Sequence, residues 1–135
     1  MRELRNVAKL DNLDEVIAFV EEQLEEHDCP PKLVIQINIA VEEIYVNIAH
    51  YAYTPEIGEA VVQTEFSEDP SGITITFIDS GKPFDPLAKP DPDVTLPAEE
   101  RQIGGLGIYM VKKSMDDVQY ERKDGKNILT ITKRW

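Results

Sequence analysis

Between Leu13 and Leu24 the apolar positions Leu13, Val16, Ile17, Val20 and Leu24 fall at helical intervals, with Glu21, Glu22, Glu25 and Glu26 on the wet side. That spacing predicts an amphipathic helix. Asn12, followed three residues later by Glu15, has the form of a capping box, and Asp28 to Pro31 supplies the stop. A second helical rhythm runs from Pro31 to about Ala52, with Leu33, Ile37, Ala40, Val41, Ile44 and Ile48 on its core face. Thr54-Pro55 and Gly58 break it, and the period then changes to two. Ala60–Phe66 and Ile73–Ile78 predict strands, the second with Ile73, Ile75 and Phe77 on one face and Thr74 and Thr76 on the other. Ile108, Val111 and Met115 predict a third helix. Val118–Arg122 and Ile128–Lys133 then form a hairpin around Asp124-Gly125, and Glu3–Lys9 is a short first strand.

The order is strand, helix, helix, strand, strand, loop, helix, strand, strand. It implies one α+β domain over residues 1–135: a two-layer α/β sandwich whose mixed, largely antiparallel sheet carries three helices on one face. Residues 82–103 stand apart, with five prolines between Pro83 and Pro97 and the acidic Asp85, Asp91, Asp93, Glu99 and Glu100. So long a stretch without regular pattern is uncommon in a small domain, and reads either as a functional surface loop or as a solvated insertion.

Composition narrows the classes. The chain has 135 residues, 41% hydrophobic and 30% charged, a balance that supports a core and excludes a disordered or collagen-like chain. Its net charge of -12 repels polyphosphate at long range, so no direct nucleic-acid partner is expected. The charge is uneven: residues 1–100 carry 6 basic and 22 acidic side chains, residues 101–135 carry 8 and 4. A small anionic ligand is therefore permitted near the second segment. A single cysteine, Cys29, excludes an intrachain disulfide, and with His27 and His50 it makes no zinc cluster. Neither a charged leader nor an 18-residue apolar run is present, so no membrane insertion and a cytoplasmic location are expected.

Three groups could carry chemistry. Glu43 and Asn47 lie four residues apart, hence on one side of the second helix. Together they offer a carboxylate and an amide oxygen, suited to orienting a hydroxyl and holding hydrated Mg2+, unless they form an ordinary solvated edge. Asp79 ends a strand two residues before Gly81, where a carboxylate either accepts an N–H from a base or caps the turn. Gly104, Gly105 and Gly107 precede the third helix and let backbone amides approach phosphate, or simply form a flexible cap. The chain lacks the Gly-Lys-Ser/Thr ending of a P-loop and the strand context of a dinucleotide fingerprint. His50 reads as a packing or hydrogen-bonded residue, or else as a secondary member of a site, while Tyr45, Tyr51 and Tyr53 suit either core packing or stacking on a partner.

In order, Glu43-x-x-x-Asn47, Asp79-x-Gly81, the proline-rich loop and Gly104-Gly105-x-Gly107 resemble the ATP-binding (Bergerat) fold of histidine kinases, type II topoisomerases and Hsp90. Asp79-Ser80-Gly81-Lys82-Pro83-Phe84-Asp85-Pro86 and the segment Ala40–His50 are most similar to bacterial anti-sigma factors of the serine-kinase branch, with Pro83 replacing the last glycine of the broader Asp-x-Gly-x-Gly pattern. The resemblance implies that Glu43 activates an acceptor, Asn47 coordinates Mg2+, and Asp79 accepts the adenine amino group while Gly81 lets backbone approach the base. It also implies that Gly104, Gly105 and Gly107 contact phosphates and hinge an ATP lid over 82–103, with Arg101 a further phosphate contact. The implied activity is ATP-dependent phosphorylation of serine or threonine on an anti-anti-sigma partner by a homodimeric anti-sigma factor. A noncatalytic ATP- or ADP-sensing module and a small ATP hydrolase are the alternatives. The 135 residues hold no pattern of a phosphoacceptor-histidine hairpin, chaperone middle domain or topoisomerase transducer, so action on another chain or as a dimer is expected.

Overall fold

The computed structural model describes residues 1–54, 56–87 and 105–135. Strand β1 (Arg2–Val7) leads through a 3-10 turn at Leu10–Asn12 into helix α1 (Leu13–Glu26), then helix α2 (Pro31–Asn47) and a π-helical turn at Ile48–Ala52. Strands β2 (Glu59–Glu68) and β3 (Ser71–Asp79) follow, then helix α3 (Gly105–Ser114) and strands β4 (Asp117–Lys123) and β5 (Lys126–Arg134).

The five strands form one sheet in the order β1-β2-β3-β5-β4. Every neighbouring pair is antiparallel, in keeping with the largely antiparallel sheet expected, and no parallel pair forms among the described residues. Connectivity gives the reason. The crossover from β3 through α3 to β4 skips one position, and the hairpin returns β5 into that gap, so strands running the same way never become neighbours. The hairpin itself closes at Asp124-Gly125, both at positive φ (53° and 76°), with Lys123 paired to Lys126. Left-handed backbone at both central residues suits the right-handed twist of the flanking strands.

Alternation along these strands builds the core in rows. Val62, Phe77, Leu129 and Tyr120 lie opposite one another across four strands, and Thr64, Ile75, Ile131 and Val118 make the next row. Val16, Val20 and Leu24 of α1, with Ile37, Ala40, Val41, Ile44 and Tyr45 of α2, are buried in the same core. Tyr45 is fully buried, and its hydroxyl proton is shared between Asn6 Oδ1 at 2.9 Å and the Val7 carbonyl at 3.0 Å. Burial pushes that phenol above its ordinary pKa.

The capping box expected at Asn12 does not form. The 3-10 turn already supplies a carbonyl, Leu10 O, to the Leu13 N–H, and Asn12 instead donates to Val7 O at 2.7 Å. Glu15 accepts from Asn6 at 2.9 Å. Elsewhere His27 is exposed, but its ring stacks on Phe66 at 3.7 Å, and Trp135 meets Phe66 edge-on.

One polar pair inside the core is fully partnered. Thr64 Oγ1 donates to Gln23 Oε1 at 2.6 Å, and Gln23 Nε2 donates to Phe19 O at 2.9 Å. Thr64→Val strands the Gln23 oxygen in a site only 2% exposed. Denaturant unfolding should therefore show a loss of about 1–3 kcal/mol. Adding Gln23→Leu should cost less than the sum of the two single changes, because the orphaned acceptor is then gone.

Candidate functional site

The inward face of β3 reads Ile73, Ile75, Phe77, Asp79, so the period that builds the core delivers a carboxylate to its rim. Asp79 is only 6% exposed. A buried carboxylate needs donors, and Oδ1 receives two: the Gly81 N–H and Asn127 Nδ2, each at 2.9 Å. Among the described residues no hydrogen bond engages Oδ2.

Beyond Asp79 the chain turns hard against the end of the second helix. That stretch ends at Ala52, as its pattern predicts, but its last five residues widen into the π turn. Lys82 N–H donates to Ala52 O at 2.8 Å, and a Cβ on Gly81 would overlap the same carbonyl. Arg122 holds the other side, donating to Gly81 O at 2.8 Å. Tyr53 braces the corner: its hydroxyl accepts from Ser80 N–H at 2.8 Å and donates to Glu59 O. Burial foremost raises the phenol above its usual pKa.

Between this corner and α2 lies an open-mouthed cavity. Ile44, Ile48, Phe77, Ile108 and Leu129 make its apolar walls, and Asn47, Asp79, Asn127 and Tyr120 bring polar groups to it. Tyr51 and Phe84, 57% and 40% exposed, stand at its mouth. Asn47 and Asp79, 32 residues apart in sequence, thus share one pocket.

Glu43 sits one turn before Asn47 and is half-buried. Asn47 Nδ2 makes a long 3.5 Å bond to Glu43 Oε1, which leaves the amide oxygen uncommitted among the described residues. A Cβ on Gly107 would fall on the Glu43 carboxylate. The first turn of α3 therefore closes directly over that acid, where the positive end of the helix favours negative charge. Gly105 opens α3 and Gly107 lies in its first turn, so both belong to the helix instead of preceding it. Arg101, Gly104 and residues 88–103 of the expected lid lie outside the described residues.

Asn127 and Tyr120 escaped the sequence reading. The available signal was a polar residue at an inward strand position: Asn127 continues the Leu129, Ile131 face as Asp79 continues the Ile73, Ile75, Phe77 face. His50, read first as a packing or hydrogen-bonded residue, is exposed and stands edge-on to Tyr51 outside the cavity lining.

The family described as the histidine kinase-like ATPase domain matches residues 7–133. A protein named serine-protein kinase RsbW from Bacillus cereus (strain AH187) is 32% identical over 97 residues, which cover 69% of this chain and 59% of that one. The chain thus spans less than two thirds of that relative's length. A protein named serine/threonine-protein kinase BtrW from Bordetella bronchiseptica is 26% identical over 101 residues, covering 75% of this chain and 70% of that one. Among solved structures, the RsbU and RsbW domains of a Mycobacterium tuberculosis protein superpose with TM-score 0.69 at 18% identity, over 99% of this chain and 32% of that one. The SiaB–SiaC complex of Pseudomonas aeruginosa gives 0.64 at 15% identity, over 100% of this chain and 90% of the other.

The contacts of Gly81 and Gly107 predict different mutational outcomes. Gly81→Ala drives a methyl into backbone that cannot yield, and chemical denaturation should show a loss of about 1–3 kcal/mol. Gly107→Ala meets only the end of a flexible side chain and gains helix propensity, so stability should change by less than about 1 kcal/mol while the Glu43 carboxylate is displaced.

Proposed function

Since the chain belongs to the histidine kinase-like ATPase domain family, we propose that it binds ATP with Mg2+ and transfers the γ-phosphoryl group to a serine or threonine hydroxyl on a protein partner. The observation that carries this reading is the convergence of Asn47 and Asp79 on one cavity, with Glu43 and the start of α3 beside it. The kinase names of the RsbW and BtrW relatives support it.

Adenine would enter between the aliphatic walls of the pocket, its exocyclic amine donating to Asp79. Gly81 keeps the floor free of a side chain. The triphosphate would extend towards α3, whose N-terminal amides and dipole attract anions, with Gly104, Gly105, Gly107 and Arg101 as phosphate contacts. Among the described residues no three Asp, Glu, His or Cys side chains converge. That donor set fits a hydrated Mg2+ held by one amide oxygen, that of Asn47, together with nucleotide phosphates. Bound there, the ion would neutralise charge on the phosphate oxygens. Glu43 orients the acceptor hydroxyl and takes up its proton as the new P–O bond forms and the bond to ADP breaks.

The resemblance of the motifs supports an anti-anti-sigma protein as acceptor and a sigma factor as the sequestered protein, with a homodimer of this chain as the binding unit. A surface of net charge -12 favours a basic face on the sigma factor and would speed encounter.

Glu43→Ala should lower phosphoryl transfer by about 10²- to 10⁴-fold while ATP affinity stays near that of the parent chain. Asn47→Ala should weaken Mg2+-dependent ATP binding and transfer together. Transfer of labelled γ-phosphate to the partner, paired with nucleotide titration, measures both. An unchanged transfer rate in the Glu43 variant overturns its role, and free phosphate released with no labelled protein points to a hydrolase.

A further inference from the structure

We infer that Asn127 is a positioning residue that sets the site's selectivity for a 6-aminopurine by fixing the Asp79 carboxylate. This rests on the nucleotide reading above and concerns how the base is recognised.

Asn127 lies directly opposite Asp79 in the β3–β5 register and is 6% exposed. Its Nδ2 donates to Asp79 Oδ1 at 2.9 Å and to Lys82 O at 2.7 Å. Its Oδ1 accepts from the Tyr120 hydroxyl at 2.6 Å and from Phe84 N–H at 3.3 Å. An amide has two N–H donors and two acceptor lone pairs, so Asn127 is saturated. Rotating the amide by half a turn would set its oxygen against two acceptors, which fixes its orientation. With nothing left to offer a ligand, Asn127 acts through the groups it holds.

The consequence falls on Asp79. With Gly81 N–H and Asn127 both on Oδ1, the carboxylate cannot rotate out of its plane without losing two hydrogen bonds in a poorly solvated site. Oδ2 is left as the acceptor for an amine on the base. The same amide grips Lys82 O and Phe84 N–H, so the chain leaving β3 is pinned by the group that aims the carboxylate. Tyr120 in turn orients Asn127 from the neighbouring strand.

The test compares ATP with purine riboside triphosphate, which lacks only the 6-amino group, by calorimetric titration in the presence of Mg2+. The intact chain should prefer ATP. Asn127→Ala should cut that preference about tenfold or more by weakening ATP, with the analogue's affinity little changed. Tyr120→Phe should act in the same direction to a smaller extent, and it decides the matter if Asn127→Ala does not fold. Asp79→Ala, as reference, should abolish the preference. Equal weakening of both nucleotides by Asn127→Ala would mark a merely structural residue and overturn the inference. So would an unaltered preference in Asn127→Ala alongside a lost one in Asp79→Ala, which leaves the nucleotide reading standing. An intact chain that binds neither nucleotide, or both equally, removes the reading of the base by Asp79 and this inference with it.

Discussion

A carboxylate buried at the end of an apolar strand face must find donors or destabilise the fold, and the Asp79–Asn127 pair answers that requirement. Each residue stands at the inward position where its strand leaves the core, and the register sets them opposite one another. A two-residue slip would face Asp79 with Leu129 and strand both polar groups, while a one-residue slip would turn every core side chain of β5 outward. The pair therefore fixes the sheet register and the floor of the pocket at once. Fold and site share one constraint.

Around that floor the remaining parts are held by close backbone approach. Gly81 lies against Ala52 at the π turn, and Gly107 lies against Glu43 at the start of α3. In the first case backbone meets backbone, and the corner after β3 is rigid. In the second, backbone meets the tip of a side chain. On the proposed function, the base would be read by the fixed corner, and the lone amide of Asn47 would leave the metal to be completed by the nucleotide.

The sequence made the five strands and three helices legible because their periods are clean: three and four in Leu13–Leu24 and Pro31–Ile48, two in Ile73–Phe77. Glu43, Asn47 and Asp79 were legible as polar residues on otherwise apolar faces with recognisable spacing. Asn127 carried a comparable signal, but next to a turn an inward polar residue looks like part of the loop, and its partner lies 48 residues away. The largely antiparallel sheet was legible too, but whether any parallel pair would form was not, because that follows from which gap the hairpin fills, a property of the crossover and not of any strand's own sequence. The capping box failed because the 3-10 turn ahead of α1 already ties the Asn12 N–H to Lys9 O, while the Asn12 and Glu15 side chains are engaged by Val7 O and Asn6, a distinction of a few backbone angles that composition does not encode.

The central claim is that Asp79, Asn47 and Glu43 surround a single nucleotide. A crystal structure with Mg2+ and a nonhydrolysable ATP analogue tests it most directly. The account requires the adenine amine on Asp79 Oδ2, the metal on Asn47 Oδ1, and the Glu43 carboxylate within hydrogen-bonding reach of the space in front of the γ-phosphate. A nucleotide bound elsewhere on the domain, or one in this cavity with its phosphates directed away from Glu43, would contradict it.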